Sequence, residues 1–261
     1  MKNNSNFEFG TIVGLILGVL SIFGSFLLEG GTLGALILIP AMLIVFGGTI
    51  ATAMIGSPAK IFFKIPSFIK LALIPPKFNI VETIETIVNY AIIARKDGIL
   101  ALEKEVNNIS HPFLKKMLRL AIDGTDPETI REIADIEINY ITERHMANAT
   151  VFQKMGGYAP TMGIIGTVMG LISTLANAGG DPNELIHHIA SAFIATLWGV
   201  FSANIIWLPI ADRLKAIHAE EKVLLEIIVE GVLAIQAGEV PTIIKTKLYS
   251  MFPISEQAIE I

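Results

Sequence analysis

Four stretches of this chain are each long enough to cross a bilayer, and none contains Asp, Glu, Lys, Arg or His: residues 11–28, 33–54, 157–177 and 189–210. About 20 apolar residues in a helix cover the ~30 Å of hydrocarbon in a membrane. Inside that layer only a helix or a closed barrel can satisfy its own backbone polar groups. The chain as a whole agrees, with 52% apolar side chains, 16% charged residues and a mean hydropathy of +0.63. Soluble domains carry about 25% charged residues. No strand alternation is evident, so the expected fold is an all-α integral membrane protein with four transmembrane helices and a large helical cytoplasmic domain. The start, MKNNSNFEFG, has no basic run before an apolar core and no small-residue cleavage site, so the first apolar segment is expected to be retained.

The four segments fall into two hairpins. EGGT joins the first pair and AGGDPNELIHH the second, both short and rich in turn formers. Acidic residues in these two loops are Glu29, Asp181 and Glu184, while all 19 Lys and Arg lie elsewhere and outside the four segments. An excess of Lys and Arg marks the cytoplasmic side. Both termini and the block between the hairpins are therefore expected in the cytosol. This divides the chain into a transmembrane hairpin at 1–56, a cytoplasmic helical domain at 57–150, a second hairpin at 151–210 and a cytoplasmic helix and tail at 211–261. Within the middle block, apolar residues recur at three and four and break at Asp97-Gly98, which predicts two amphipathic helices. Asp126 and Pro127 read as the cap and first position of a long helix running unbroken toward the third span. The tail helix is expected to continue the fourth span in the same way. SPAKIFFKIPSFIKLAL sets Lys60, Lys64 and Lys70 among Phe and Ile, the pattern of a helix lying in the membrane interface or packed on protein.

The chemistry is notable for what the spans omit. An ion carrier normally loads its ion on an ionisable group inside the membrane, and these four spans hold none. His111, His145, His187, His188 and His218 show no metal or catalytic spacing and read as surface residues. No nucleophile elbow, phosphate loop or zinc-protease motif is present. With no Cys there is no thiolate metal site, and a net charge of -5 gives no basic field for nucleic acid. An enzyme is not expected, nor a cofactor.

What the third and fourth spans do carry is small residues and hydroxyls. Gly163, Gly166 and Gly170 share one side of a helix, which lets another helix approach closely. Thr161, Thr167, Ser173 and Thr174 add hydroxyls to the third span; Ser191, Thr196, Gly199, Ser202 and Asn204 do so for the fourth. Pro160 and Pro209 stand near the cytosolic ends of both, where each removes a backbone donor. Spacing alone leaves two readings open: helix packing with hydroxyls bonded to their own backbone, or the lining of a pore.

Three passages resemble the MotA/PomA branch of the MotA/TolQ/ExbB proton channel family. In the fourth span, Ala192-Phe-Ile-Ala195-Thr196-Leu-Trp-Gly199-Val-Phe201, seven residues and Pro209 fit the family signature at every position. APTMGIIGTVMGL is similar to the third-span pattern around Pro160, and ARKDGILALE reproduces the family's Arg and Glu spacing at Arg95 and Glu103. The layout of four spans with one large inner loop also fits, whereas ExbB and TolQ have three spans. The resemblance implies a stator subunit of the bacterial flagellar motor, in the bacterial inner membrane. Such subunits form a homopentamer around a MotB dimer, whose single span supplies the ion-carrying Asp. It further implies that Thr167 and Thr196 face that carboxylate and the ion path, and that Pro160 and Pro209 shape the spans. Arg95 and Glu103 are then expected to contact FliG of the rotor, although a solvated helix face is the ordinary reading of such charges. The expected coupling ion is the proton, with sodium as the alternative. Partners of this kind include membrane lipids and exclude nucleic acid. An ExbB-like energising subunit, a membrane scaffold and a self-contained channel are the competing readings.

Overall fold

The computed structural model describes residues 9–176 and 182–251, and every regular element among them is helical. We label the main helices α1 (Phe9–Leu28), α2 (Ile39–Ile55), α3 (Ile65–Leu73), α4 (Ile80–Asp97), α5 (Pro112–Ile122), α6 (Pro127–Ala176), α7 (Pro182–Ser202), α8 (Leu208–Gln236) and α9 (Pro241–Tyr249). Packing divides the chain into an apolar unit, Ser5–Pro75 with His145–Lys215, and a polar unit, Pro76–Arg144 with Ala216–Ile261. Asn177, Asp181 and the end of the expected tail lie outside the described residues.

The helices α1, α6 and the α7–α8 run are long and apolar enough to cross a membrane. The second segment is shorter than expected: helix starts at Ile39 rather than Leu33. Leu33–Leu36 forms a single 3-10 turn, and Leu38 is extended (φ -116°, ψ 110°). Pro40 is the cause. A helix continued upstream would drive its ring into the carbonyl of Leu36 and leave that carbonyl without its usual donor. Here the Leu36 carbonyl accepts instead from Trp198 Nε1 at 2.8 Å. The 17 residues left in α2 span about 26 Å at 1.5 Å per residue, close to the minimum for a membrane helix. Trp198 also anchors an aromatic cluster, with ring centroids 5.4 Å from Phe201, 5.8 Å from Phe46 and 6.0 Å from Phe23.

The lysine-bearing segment divides into one turn, Ala59–Phe62, and α3, which has Pro66 in its first turn. Phe68 and Ala72 are buried against Ala149, Phe152, Ala211 and Leu214. Lys60, Lys64 and Lys70 stay exposed, and so does Phe63 at 71%. One face of this segment thus packs on protein while its basic, aromatic face is free.

The polar unit closes around a core to which α4 gives Ile84, Ile87 and Ala91, α5 gives Met117 and Leu118, and α8 and α9 give Ile227, Ile228, Ile244 and Leu248. These residues recur at three and four because only that spacing keeps a helix's apolar side chains on one face. Burying each such side chain contributes about 1.5–3 kcal/mol. The break at Asp97-Gly98 is confirmed: Gly98 adopts φ 86°, a left-handed value that side-chain-bearing residues resist. Asp126 caps α6 as expected, its Oδ1 accepting from the Thr129 amide at 2.9 Å. That helix then runs without interruption for 50 residues.

His218, His111 and His145 depart from the surface reading, and His145, His218 and Glu221 bring one candidate ligand atom each within 4.8 Å of one another, a grouping that sequence spacing did not show. His218 is only 3% exposed, and its Nε2 shares a hydrogen with the Thr142 hydroxyl at 3.1 Å. His111, half-buried, caps α5: its Nδ1 accepts from the Leu114 amide at 3.4 Å, which requires that nitrogen to be unprotonated. Burial holds the His111 pKa below the ordinary histidine value, opposed by the charge of Glu221. The unfolded chain therefore binds this proton more readily than the folded one. The stability tied to the neutral ring is fully present above the ordinary pKa and is lost as pH falls through the lower folded value. Acidifying from about pH 7 to about pH 5 should lower the melting temperature of the detergent-solubilised protein more than that of His111→Ser, which keeps a cap and loses the titration. Equal losses in the two proteins would remove His111 from the acid response.

Candidate ion path

The apolar unit brings Thr167 of α6 and Thr196 of α7 together, as side chains from two antiparallel helices. What allows it is glycine. A Cβ on Gly163 would lie 2.9 Å from the Ala195 carbonyl oxygen and 3.1 Å from Thr196 Cα; one on Gly199 would lie 2.7 Å from the Ala159 oxygen and 3.2 Å from Gly163 Cα. Backbone touches backbone at this level. One turn on, Gly166 and Gly170 face the methyl groups of Ala195 and Ala192, at 2.6 and 2.8 Å from their own built Cβ positions.

With the backbones this close, a threonine hydroxyl reaches across. Thr167 Oγ1 lies 3.1 Å from the Gly163 carbonyl of its own helix and 3.0 Å from the Ala192 carbonyl of α7. It is also hydrogen-bonded to Thr196 Oγ1. Both residues are half-buried, at the edge of the interface. A hydroxyl has one hydrogen and two lone pairs. When Thr167 donates to a carbonyl, the hydrogen between the two oxygens is that of Thr196. Both hydrogens are then in use, and the pair offers only lone pairs to anything that approaches. The packing and pore-lining readings are not exclusive, because the hydroxyls bond backbone and still border an exposed face.

The prolines stand apart from this pair in different ways. Pro160 lies inside α6 against Gly199, its Cα 3.3 Å from where a Gly199 Cβ would be. Having no N–H, it leaves the Gly156 carbonyl without its i+4 donor. Pro209 follows a π-helical turn, Ala203–Trp207, that links α7 to α8. Such a turn re-spaces the hydrogen bonds beside a missing donor. Arg95 and Glu103 belong to the polar unit, exposed on either side of Gly98. Two functional partners were not legible beforehand: the Ala192 carbonyl and the Leu36 carbonyl, since backbone acceptors leave no trace in side-chain pattern.

Fold and site together define an all-helical membrane subunit with a glycine-packed, uncharged hydroxyl site and no ionisable group of its own in the spans. Residues 105–227 match the MotA/TolQ/ExbB proton channel family, and residues 12–97 match the Motility protein A N-terminal family. Motility protein A of Bacillus subtilis is 36% identical over 95% of this chain and 92% of its own length. Chemotaxis protein PomA of Vibrio alginolyticus is 34% identical over 97% and 99%. The solved structure of C. jejuni MotAB superposes with a TM-score of 0.90 at 31% identity, covering 96% of this chain and 98% of that one. The chain belongs to the MotA/TolQ/ExbB proton channel family, in its motility protein A branch.

Proposed function

We propose that this chain is the MotA-type subunit of a flagellar stator, and that it forms an ion channel with a MotB-type partner and couples ion flow to torque on the rotor. One observation carries the reading: a half-buried hydroxyl pair at a backbone-to-backbone helix contact, in spans with no Asp, Glu, Lys, Arg or His. Such a site needs a carboxylate from elsewhere, and a partner with one intramembrane Asp supplies it. Five copies around a partner dimer would surround it with five hydroxyl pairs for two carboxylates, so one carboxylate is always out of register. The pair, offering lone pairs only, accepts a hydrogen bond from a protonated carboxyl or ligates a cation held by it. A bare carboxylate, itself an acceptor, gains nothing there. Loading an ion therefore favours seating and losing it favours departure, which gives each ion a step.

The orientation follows the Lys and Arg distribution, with both termini and the polar unit in the cytosol of a cell whose inner membrane holds the four spans. The exposed Lys60, Lys64, Lys70 and Phe63 suit anionic headgroups and the interface. Arg95 and Glu103 serve the rotor contact with FliG.

The test is genetic. Deleting the gene should stop swimming, and the wild-type chain should restore it. Arg95→Glu with Glu103→Lys should restore little, although the protein inserts normally, and charge reversal on FliG should recover part. Exposed ion pairs are worth only ~0–1 kcal/mol, so a single neutral substitution is tolerated. Full swimming with both charges reversed and the rotor unchanged would remove these residues from the contact. Swimming that survives deletion in a strain with no second stator would sink the reading.

A further inference from the structure

The exposed sides of α6 and α7 form one surface. On α6, Gly163, Thr167 and Gly170 point at α7, Met162 packs on Gly48 of α2, and Gly166 sits between Ala195 of α7 and Ile44 of α2. Among the exposed positions, Gly157, Thr161, Ile164, Val168 and Ile172 form a stripe at spacings of three and four on the side turned away from α2, with Ile165 and Met169 exposed beside it. On α7, Ala192 and Gly199 face α6, and Ile194 and Ala195 pack with Ala41 and Val45 of α2. Its exposed stripe is Ile186, Phe193, Val200 and, in the π-helical turn, Asn204. Because the two helices are antiparallel and both use their α2-facing sides for packing, the two stripes open in the same direction. The threonine pair borders this surface.

The surface is apolar except toward the ends nearest α8, where it carries Thr161 and Asn204. The Thr161 hydroxyl donates to its own helix, to the Tyr158 carbonyl at 2.7 Å. Asn204 donates one amide hydrogen to the Val200 carbonyl at 2.9 Å. A carboxamide has two hydrogens and a carbonyl oxygen. One N–H and the Oδ1 are thus turned out on a residue that sits six positions inside the fourth apolar segment, about 9 Å along the helix. Lipid offers such groups no partner, and polar side chains at this depth face water or protein.

We infer that Asn204, with Thr161 exposed on the facing helix, lines a water-filled compartment on the cytosolic side of the threonine pair and receives the ion as it leaves the partner's carboxylate. It lies eight residues from Thr196, about 12 Å along the helix, so it acts after the pair rather than with it. The free Oδ1 accepts from a hydronium-bearing water or ligates a cation; the free N–H holds the next water in line. This role rests on the stator reading, whereas the wetness of the face does not.

The chain has no Cys, so one introduced thiol is a unique reporter. In the complex with its partner, Asn204→Cys should be labelled by a membrane-impermeant thiol reagent in inside-out vesicles. Leu17→Cys, on the exposed side of α1, should react only with a lipid-soluble maleimide. Asn204→Leu should assemble with the partner as the wild type does yet cut ion flux and swimming speed at least several-fold, and Asn204→Ser should restore most of both. If Asn204→Leu fails to assemble, labelling of Asn204→Cys and of Thr161→Cys decides. Labelling of Asn204→Cys by the lipid-soluble reagent alone would overturn the inference, and so would full ion flux in an assembled Asn204→Leu complex. Hydrophilic labelling in a chain whose deletion leaves swimming intact would keep the wet face and discard the stator reading.

Discussion

Replacing Gly163 or Gly199 with leucine is expected to abolish swimming while the polar unit stays folded. Even alanine at either site sets a β-carbon within 2.9 or 2.7 Å of a carbonyl oxygen, and those neighbours are backbone, so only separation of the helices relieves the clash. Overpacking of this kind costs about 1–3 kcal/mol and here also parts the two threonines. Leucine enlarges the effect. The neighbouring glycine behaves differently: Gly166→Ala meets the Ala195 methyl at 2.6 Å, and its other neighbours, on Ile44, are at 3.7 and 3.9 Å. Ala195→Gly should therefore rescue Gly166→Ala and should not rescue Gly163→Ala. Gly14→Ala on α1, where a Cβ meets nothing within 4 Å, is the control and should swim normally. Swimming at wild-type speed in Gly163→Leu would show that the close approach is dispensable.

Thr196→Val and Thr167→Val should each slow swimming by at least about tenfold with no loss of assembly, because valine keeps the shape and removes the acceptor. A hydrogen bond to a charged or ion-bearing group is worth about 1.5–3 kcal/mol, and 1.4 kcal/mol is already tenfold. Serine at either position keeps the oxygen and should retain most of the speed. If valine and serine behave alike, the hydroxyls matter only for packing. The same strains address the coupling ion. Swimming speed measured with and without sodium at fixed pH should not change in the wild type or in Thr167→Ala, the result for a proton-driven stator. Sodium-dependent swimming that disappears in Thr167→Ala would make Thr167 a sodium ligand and overturn the proton assignment.

Much of this protein is readable in one dimension because the membrane simplifies the problem. A span free of ionisable residues announces its environment directly, and the break at Gly98, the cap at Asp126 and the 50-residue α6 follow from local rules. Pro160, Thr167, Thr196 and Pro209 are singled out by the family resemblance, because the hydroxyls of these spans are too numerous for spacing alone to choose among them.

The sequence by itself determined the helical class, the number of apolar segments and the absence of any ion-carrying group within them, since each depends on side-chain type and local spacing. Pro40 sets locally where α2 begins, but only the tertiary structure decided that the Leu36 carbonyl given up by the helix is taken by Trp198, 162 residues away. It also decided that the Thr167 hydroxyl bonds both its own helix and Ala192 of α7, and that His218 is buried. The threonine contact depends on how closely two backbones approach. That distance is set by the glycines of both helices acting together, and neither helix alone encodes it.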